Sequence, residues 1–195
     1  MTAGLIFCLL AGTLSVYTQA SGVRRRVVRL HVLAHSDTTE DQVLKLQVRD
    51  AVAAVTADWL NDTTDTDQAL ALLTRRLPQI EAVAQQTVQN AGYAYPVSAQ
   101  IRRSYFTTRQ YDIVTLPAGM YQAVQVTIGD GKGQNWWCVV YPPLCAGAAA
   151  DREALTQILD PAGQSMVTDG PRYAVKFKVV EWVESWLQLF RRSAK

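Results

Sequence analysis

The sequence predicts an α+β fold, an antiparallel sheet of four to five strands with helices packed on one face, preceded by a signal-like N-terminal segment. Three observations predict it. Apolar residues alternate in part over residues 26–33, recur at three- and four-residue spacing between Val43 and Val88, and return as short β-type runs between Val97 and Tyr141. A chain of 195 residues suits one domain with a sizeable core. Its 49% hydrophobic and 18% charged content is that of a globular protein and excludes a disordered, collagenous or coiled-coil chain. The formal net charge of +2 gives no basic footprint for nucleic acid, and three cysteines (Cys8, Cys138 and Cys145) are too few for a disulfide-built scaffold.

Residues 1–23 carry no charged side chain, and the run at 5–16 (LIFCLLAGTLSV) is apolar before the chain turns small and polar. That run is shorter than the roughly 20 residues of a membrane-spanning helix and suits a secretory h-region, with Thr18-Gln19-Ala20 as a small-x-small cleavage site. Residues 1–20 are therefore expected to be a signal peptide or N-terminal anchor, and residues 24–195 a single α+β domain with a C-terminal amphipathic helix. A buried N-terminal helix is the alternative. No basic residue precedes the run, and Arg24-Arg25-Arg26 follow it, the side that the positive-inside rule retains. Removal of the leader takes Cys8 with it and leaves Cys138 and Cys145 as an even pair outside the cytosol, a disulfide candidate closing a turn over Pro142-Pro143.

The run RVVRLHVL at 26–33 reads as a strand with Val28, Leu30 and Val32 on one face and Val27, Arg29, His31 and Leu33 on the other. Ser36 or Asp37 is placed to cap the next helix, Asp37 and Glu40 having capping-box spacing. That helix carries Val43, Leu44, Leu46, Val48, Ala51, Val52, Val55 and Trp59, mostly at three- and four-residue spacing, and ends near Asn61. The polar stretch 61–67 (NDTTDTD) ends in Asp67 as a cap for a second helical stretch. Pro78 kinks or splits that stretch before a stop at Asn90-Ala91-Gly92. Strands are then expected at 97–105, 110–116, 121–128 and 136–141, joined as an antiparallel meander. Residues 144–169 read as irregular with one short helix at 151–159. Val179, Val183, Trp186, Leu187 and Phe190 mark a terminal helix over 175–192.

His31 and His35 stand four apart beside Ser36 and Asp37, and with two distant cysteines they supply the residue types of a Cys₂His₂ zinc site. The spacing argues against it, because Cys138 and Cys145 are seven apart with Pro-Pro between them, and no H-E-x-x-H occurs. No G-x-S-x-G elbow supports a serine hydrolase. Gly129-Asp130-Gly131-Lys132-Gly133 is not a phosphate loop, since Lys132 is followed by Gly and the next element is a strand, not a helix. Asp62, Asp65 and Asp67 lack the glycine and distal glutamate of a calcium loop. Trp136-Trp137 is more informative: consecutive strand residues face opposite ways, so one ring can be core while the other is exposed as a binding anchor.

Three blocks carry a resemblance: RLHVLAHSD at 29–37, DQVLKLQVRDAV at 41–52 and GKGQNWWCVVYPPLC at 131–145. From Val27 to Cys145 the chain resembles the stage II sporulation protein R family of endospore-forming bacteria. In that family the position of His35 is commonly Asn, so a His-His metal pair is not a family feature. The resemblance implies a protein that is not an enzyme and carries no cofactor. It implies secretion from the forespore into the space between forespore and mother-cell membranes. There such a protein activates a membrane-bound aspartic protease that processes the pro-form of a mother-cell sigma factor, pro-sigma-E. The expected partner surface combines His31, Ser36 and Asp37 with Asn135, Trp136 and Trp137, close to the membrane and with no role for nucleic acid. The alternatives are that these groups merely brace the first helix and the Gly-rich turn, with the interface on the terminal helix; that His31, His35, Ser36 and Asp37 serve a secreted hydrolase or zinc enzyme; and that Trp136 and Trp137 belong to a cell-wall-binding module.

Overall fold

The computed structural model describes residues 2–111, 114–143, 158–168 and 181, with side chains from Leu14 onward. In chain order its elements are α1 (Thr2–Arg25), β1 (Val28–Leu33), α2 (Thr39–Leu60), α3 (Thr66–Arg75), α4 (Leu77–Asn90), β2 (Val97–Phe106), β3 (Arg109–Tyr111), β4 (Val114–Leu116), β5 (Gly119–Ile128), β6 (Asn135–Tyr141) and α5 (Pro161–Thr168). The fold is α+β, as the sequence predicts.

Strand order in the main sheet is β2-β5-β1-β6, with β3 and β4 forming a separate two-stranded ribbon. β2 pairs antiparallel with β5 and β6 antiparallel with β1, but β1 runs parallel to β5, from Val28 opposite Gln122 to Leu33 opposite Thr127. The meander expectation is corrected here. Consecutive strands do not all neighbour one another, because β1 is inserted between β5 and β6. The reason lies in β1 itself: a strand covered on both faces reads as a nearly continuous apolar run, and VRLHVL is buried at four of six positions. The expected strand at 110–116 is likewise divided into β3 and β4.

The alternation read from the sequence sets the two cores. Val28, Leu30 and Val32 join Val124, Val126, Ile128 and Val140 beneath Leu44, Val48 and Val52 of α2, Leu73 of α3 and Ile80 of α4. The helices α2, α3 and α4 form the expected layer on one face. On the opposite face Val27, Ala123, Val139, Phe106 and Tyr121 pack with Ala20 and Val23 of α1 and Met166 of α5. α1 thus contributes its C-terminal turns to a core, and among the described residues no helix is long and apolar enough to cross a membrane.

Local chemistry explains the breaks. Pro78 sits in the first turn of α4, so the helical stretch divides at Arg76, which ends α3 and starts α4. Asp65, not Asp67, caps α3 by accepting from the Gln68 amide at 2.8 Å. α5 was not anticipated, although Asp160-Pro161 is a cap followed by a first-turn proline; Asp160 accepts from the Gly163 amide at 3.3 Å. The terminal helix expected at 175–192 lies, apart from Glu181, outside the described residues, as does the short helix at 151–159 apart from Ile158 and Leu159.

The central position of β1 makes Leu30, fully buried between α2 and its neighbours, a sensitive site. Leu30→Ala is expected to lower unfolding free energy by about 3 kcal/mol in denaturant titration. A loss under about 1 kcal/mol would contradict that position.

Candidate functional site

Because β5 is parallel and β6 antiparallel to β1, the exit of β1, the exit of β5 and the entry of β6 lie together: Leu33 is opposite Thr127 on one side and Asn135 on the other. The segment leaving β1 therefore runs against the Gly-rich loop between β5 and β6. Gly133 donates its amide to Ala34 O at 3.0 Å and Lys132 to His35 O at 3.2 Å. The Gln134 amide donates to Asp37 Oδ1 at 2.6 Å, and the Asp130 amide to His35 Nδ1 at 3.0 Å. The approach requires glycine. A Cβ on Gly133 would stand 2.1 Å from the Ser36 carbonyl oxygen, and Gly129, at φ +56°, has no room for one beside His35 Nδ1, 2.4 Å away.

The same segment starts α2. Thr38 is the N-cap, accepting from the Asp41 amide at 3.3 Å. This corrects the expected cap at Ser36 or Asp37 and explains how Asp37 is free to hold Gln134. Ser36 donates its hydroxyl proton to Asp41 Oδ2 at 2.5 Å, and Gln42 Nε2 donates to Ser36 O at 2.9 Å. Lys45 reaches across from α2 to donate to Gln134 O at 3.2 Å; burial pushes its pKa down and Asp37 pulls it back. The His35 ring stacks on Tyr95 at 4.2 Å, which in turn stacks on Tyr93 at 5.4 Å.

His31 points to the other face, edge-on to Phe106 and to Trp137 with both ring centroids 6.0 Å away. Both ring nitrogens are buried, and among the described residues neither makes a well-formed hydrogen bond, although the Asn135 side chain opposes their desolvation. Burial pushes the His31 pKa down, Arg102 and Arg29 add to this and Asn135 opposes it. His31 and His35 thus occupy separate surroundings, and no three His, Cys, Asp or Glu side chains gather to hold a metal among the described residues.

Next to His31 lies a group that the functional reading of the sequence missed. Arg29 is fully buried; its guanidinium lies over Phe106 at 4.4 Å, Tyr121 at 5.1 Å and Tyr111 at 5.5 Å, and its Nε donates to Cys138 O at 2.9 Å. Tyr111 accepts from Arg29 Nη2 and donates to Trp137 O at 3.2 Å. Burial pushes the Arg29 pKa down and the Tyr111 and Tyr121 pKa values up. The signal was an arginine that, apart from His31, stands within an apolar strand.

The tryptophan pair divides as a strand requires. Trp136 is 37% exposed, with the Arg49 guanidinium 4.4 Å over its ring and exposed Asn135 beside it in sequence. Trp137 is half-buried beneath Arg109, 4.6 Å from its ring. Cys138 is buried and disulfide-bonded; Cys145 lies outside the described residues.

Fold and site define an α+β protein in which a hydrogen-bonded loop and helix cap hold a partly exposed tryptophan at the end of the sheet. The stage II sporulation protein R family model matches residues 24–151, and the chain belongs to that family. It is 35% identical over 144 residues to the stage II sporulation protein R of Bacillus subtilis (strain 168), an alignment covering 74% of this chain and 64% of that relative. No solved structure matches the chain.

Two outcomes follow from this geometry. Gly133→Ala is expected to destabilise the fold by about 2 kcal/mol or more, since the obstructing atom is backbone; a neutral effect in thermal unfolding would contradict the close approach. His31 has a folded-state pKa below its unfolded value, so the unfolded chain binds more protons as pH falls and stability drops below about pH 6.5. His31→Phe should reduce that acid loss between about pH 7 and about pH 5. An unchanged pH dependence would show that His31 titrates normally.

Proposed function

We propose that this sporulation-family protein acts by binding: it is secreted from the forespore into the space between the two membranes and switches on a membrane-bound aspartic protease of the mother cell. The protease then removes the pro-sequence of a sigma factor. The observation that carries the reading is that parts of two family-resembling blocks, residues 33–37 and 131–136, meet at one end of the sheet, with Trp136 and Asn135 exposed there. An aromatic ring with a polar rim is the composition of an interface anchor. Ser36 and Asp37 are engaged in internal hydrogen bonds, so they position this surface from behind. His31 and Trp137 support it from the other face of β1 and β6. Ser36 gives its proton to Asp41 instead of to an imidazole, the bond a serine nucleophile would require. Residues 1–20 serve in this reading as the export segment.

The test is reconstitution of the protease and its pro-protein substrate in vesicles, with the full chain added. Trp136→Ala is expected to reduce pro-sequence removal at least about tenfold, the scale of a truncated anchor, with the melting temperature near that of the unaltered protein. Activation that falls only in proportion to lost folded protein would overturn the reading and leave the strand end as architecture.

A further inference from the structure

The sheet has two outer strands, and β2 is the one whose backbone is half covered. On β2 the Val97 amide donates to Gln85 Oε1 at 2.9 Å and the Ala99 amide to Glu81 Oε2 at 2.8 Å, so side chains of α4 cap the outward-facing donors at its start. The β2 to β5 register is continuous from Val97 opposite Ile128 to Phe106 opposite Gly119. In an antiparallel pair every second residue directs its N–H and C=O away from its neighbour, so Ile101 and Arg103 face outward in the same way as Val97 and Ala99. Among the described residues neither of their amides has a hydrogen-bond partner. The start of the edge is blunted, and among the described residues it is open at Ile101 and Arg103.

Charge marks what suits the opening. Arg102 and Arg103 are exposed, project to opposite faces of β2 and make no ion pair among the described residues. On its own side Arg103 lines a cavity of about 660 Å³ together with Arg24, Arg25 and Arg26, opposed there by Asp65 and Asp67. A second copy of this chain pairing edge to edge would bring arginines against arginines, which cross-strand packing disfavours. We propose that the open edge at Ile101 and Arg103 receives an extended acidic segment of a protein partner as an added strand. Main-chain bonds to these two amides supply affinity, and carboxylates on the face of the added strand that lies beside Arg103 supply selection. The inference goes beyond the protease reading and does not depend on it, since β2 and β6 are opposite edges of the sheet.

The test is amide hydrogen exchange by NMR on the full chain, with and without a seven-residue peptide alternating valine and glutamate. At a peptide concentration about ten times its dissociation constant, exchange at Ile101 and Arg103 is expected to slow about tenfold, with Val97 and Ala99 unchanged. A glutamine version of the peptide should protect less. Arg103→Pro removes an outward N–H that the ladder with β5 does not use, and should abolish protection; Arg103→Gln keeps the N–H and should weaken it. Equal melting temperatures of the two variants show that both fold. Failure of the acidic peptide to protect these amides overturns the proposal, as does equal protection by a lysine peptide or protection that survives Arg103→Pro. Slow exchange at both amides in the free protein, whether constant or rising with protein concentration, overturns it too, because the edge is then filled by this chain or by a second copy.

Discussion

The hydrogen bonds between the segment leaving β1 and the loop entering β6 are the constraint on which the rest of the molecule depends. Four backbone amides of residues 130–134 find acceptors there: two carbonyls, one imidazole and one carboxylate. A loop amide with no partner costs the free energy of a lost bond, and the carboxylate acceptor is the strongest of the four. By fixing this loop, the contact fixes the start of β6, the direction in which Trp136 and Trp137 project, and the point at which α2 begins. Glycine at 133 is a condition of that contact; no side chain fits.

On the far face Arg29 does comparable work with opposite chemistry. Burying a charge is costly, and none of the ion pairs among the described residues involves it. Its charge is spread over three aromatic faces and given to the Cys138 carbonyl, and a desolvated cation–π contact is worth about 2 kcal/mol. The same side chain thereby ties Phe106 at the end of β2 and Tyr111 of β3 to the centre of the sheet. β6 is gripped from both sides, through its entry loop by Asp37 and through its middle by Arg29.

Much of this was legible. The α+β class, the two faces of β1, the helices α2 to α4 and the split at Pro78 follow from periodicity and proline chemistry. The place of β1 between β5 and β6 did not, because a strand's neighbours are set by long-range packing that leaves no local pattern beyond its unusually apolar run. The cap was misplaced for a related reason: Ser36, Asp37 and Thr38 all have capping side chains, and only the approach of Gln134 decides that Asp37 faces the loop while Thr38 caps. Likewise Arg29 was assigned to the correct face of its strand, but nothing near it in sequence names Phe106, Tyr111 and Tyr121 as its surroundings.

The central claim, that the braced end of the sheet is the surface by which the protein acts, is tested most directly by a hydrogen-exchange footprint of the full chain on protease-bearing vesicles against empty ones. The account predicts that added protection falls on the amides of residues 134–137, with the core of α2 unchanged. Protection confined to other parts of the chain, with residues 134–137 exchanging as they do on empty vesicles, would contradict it.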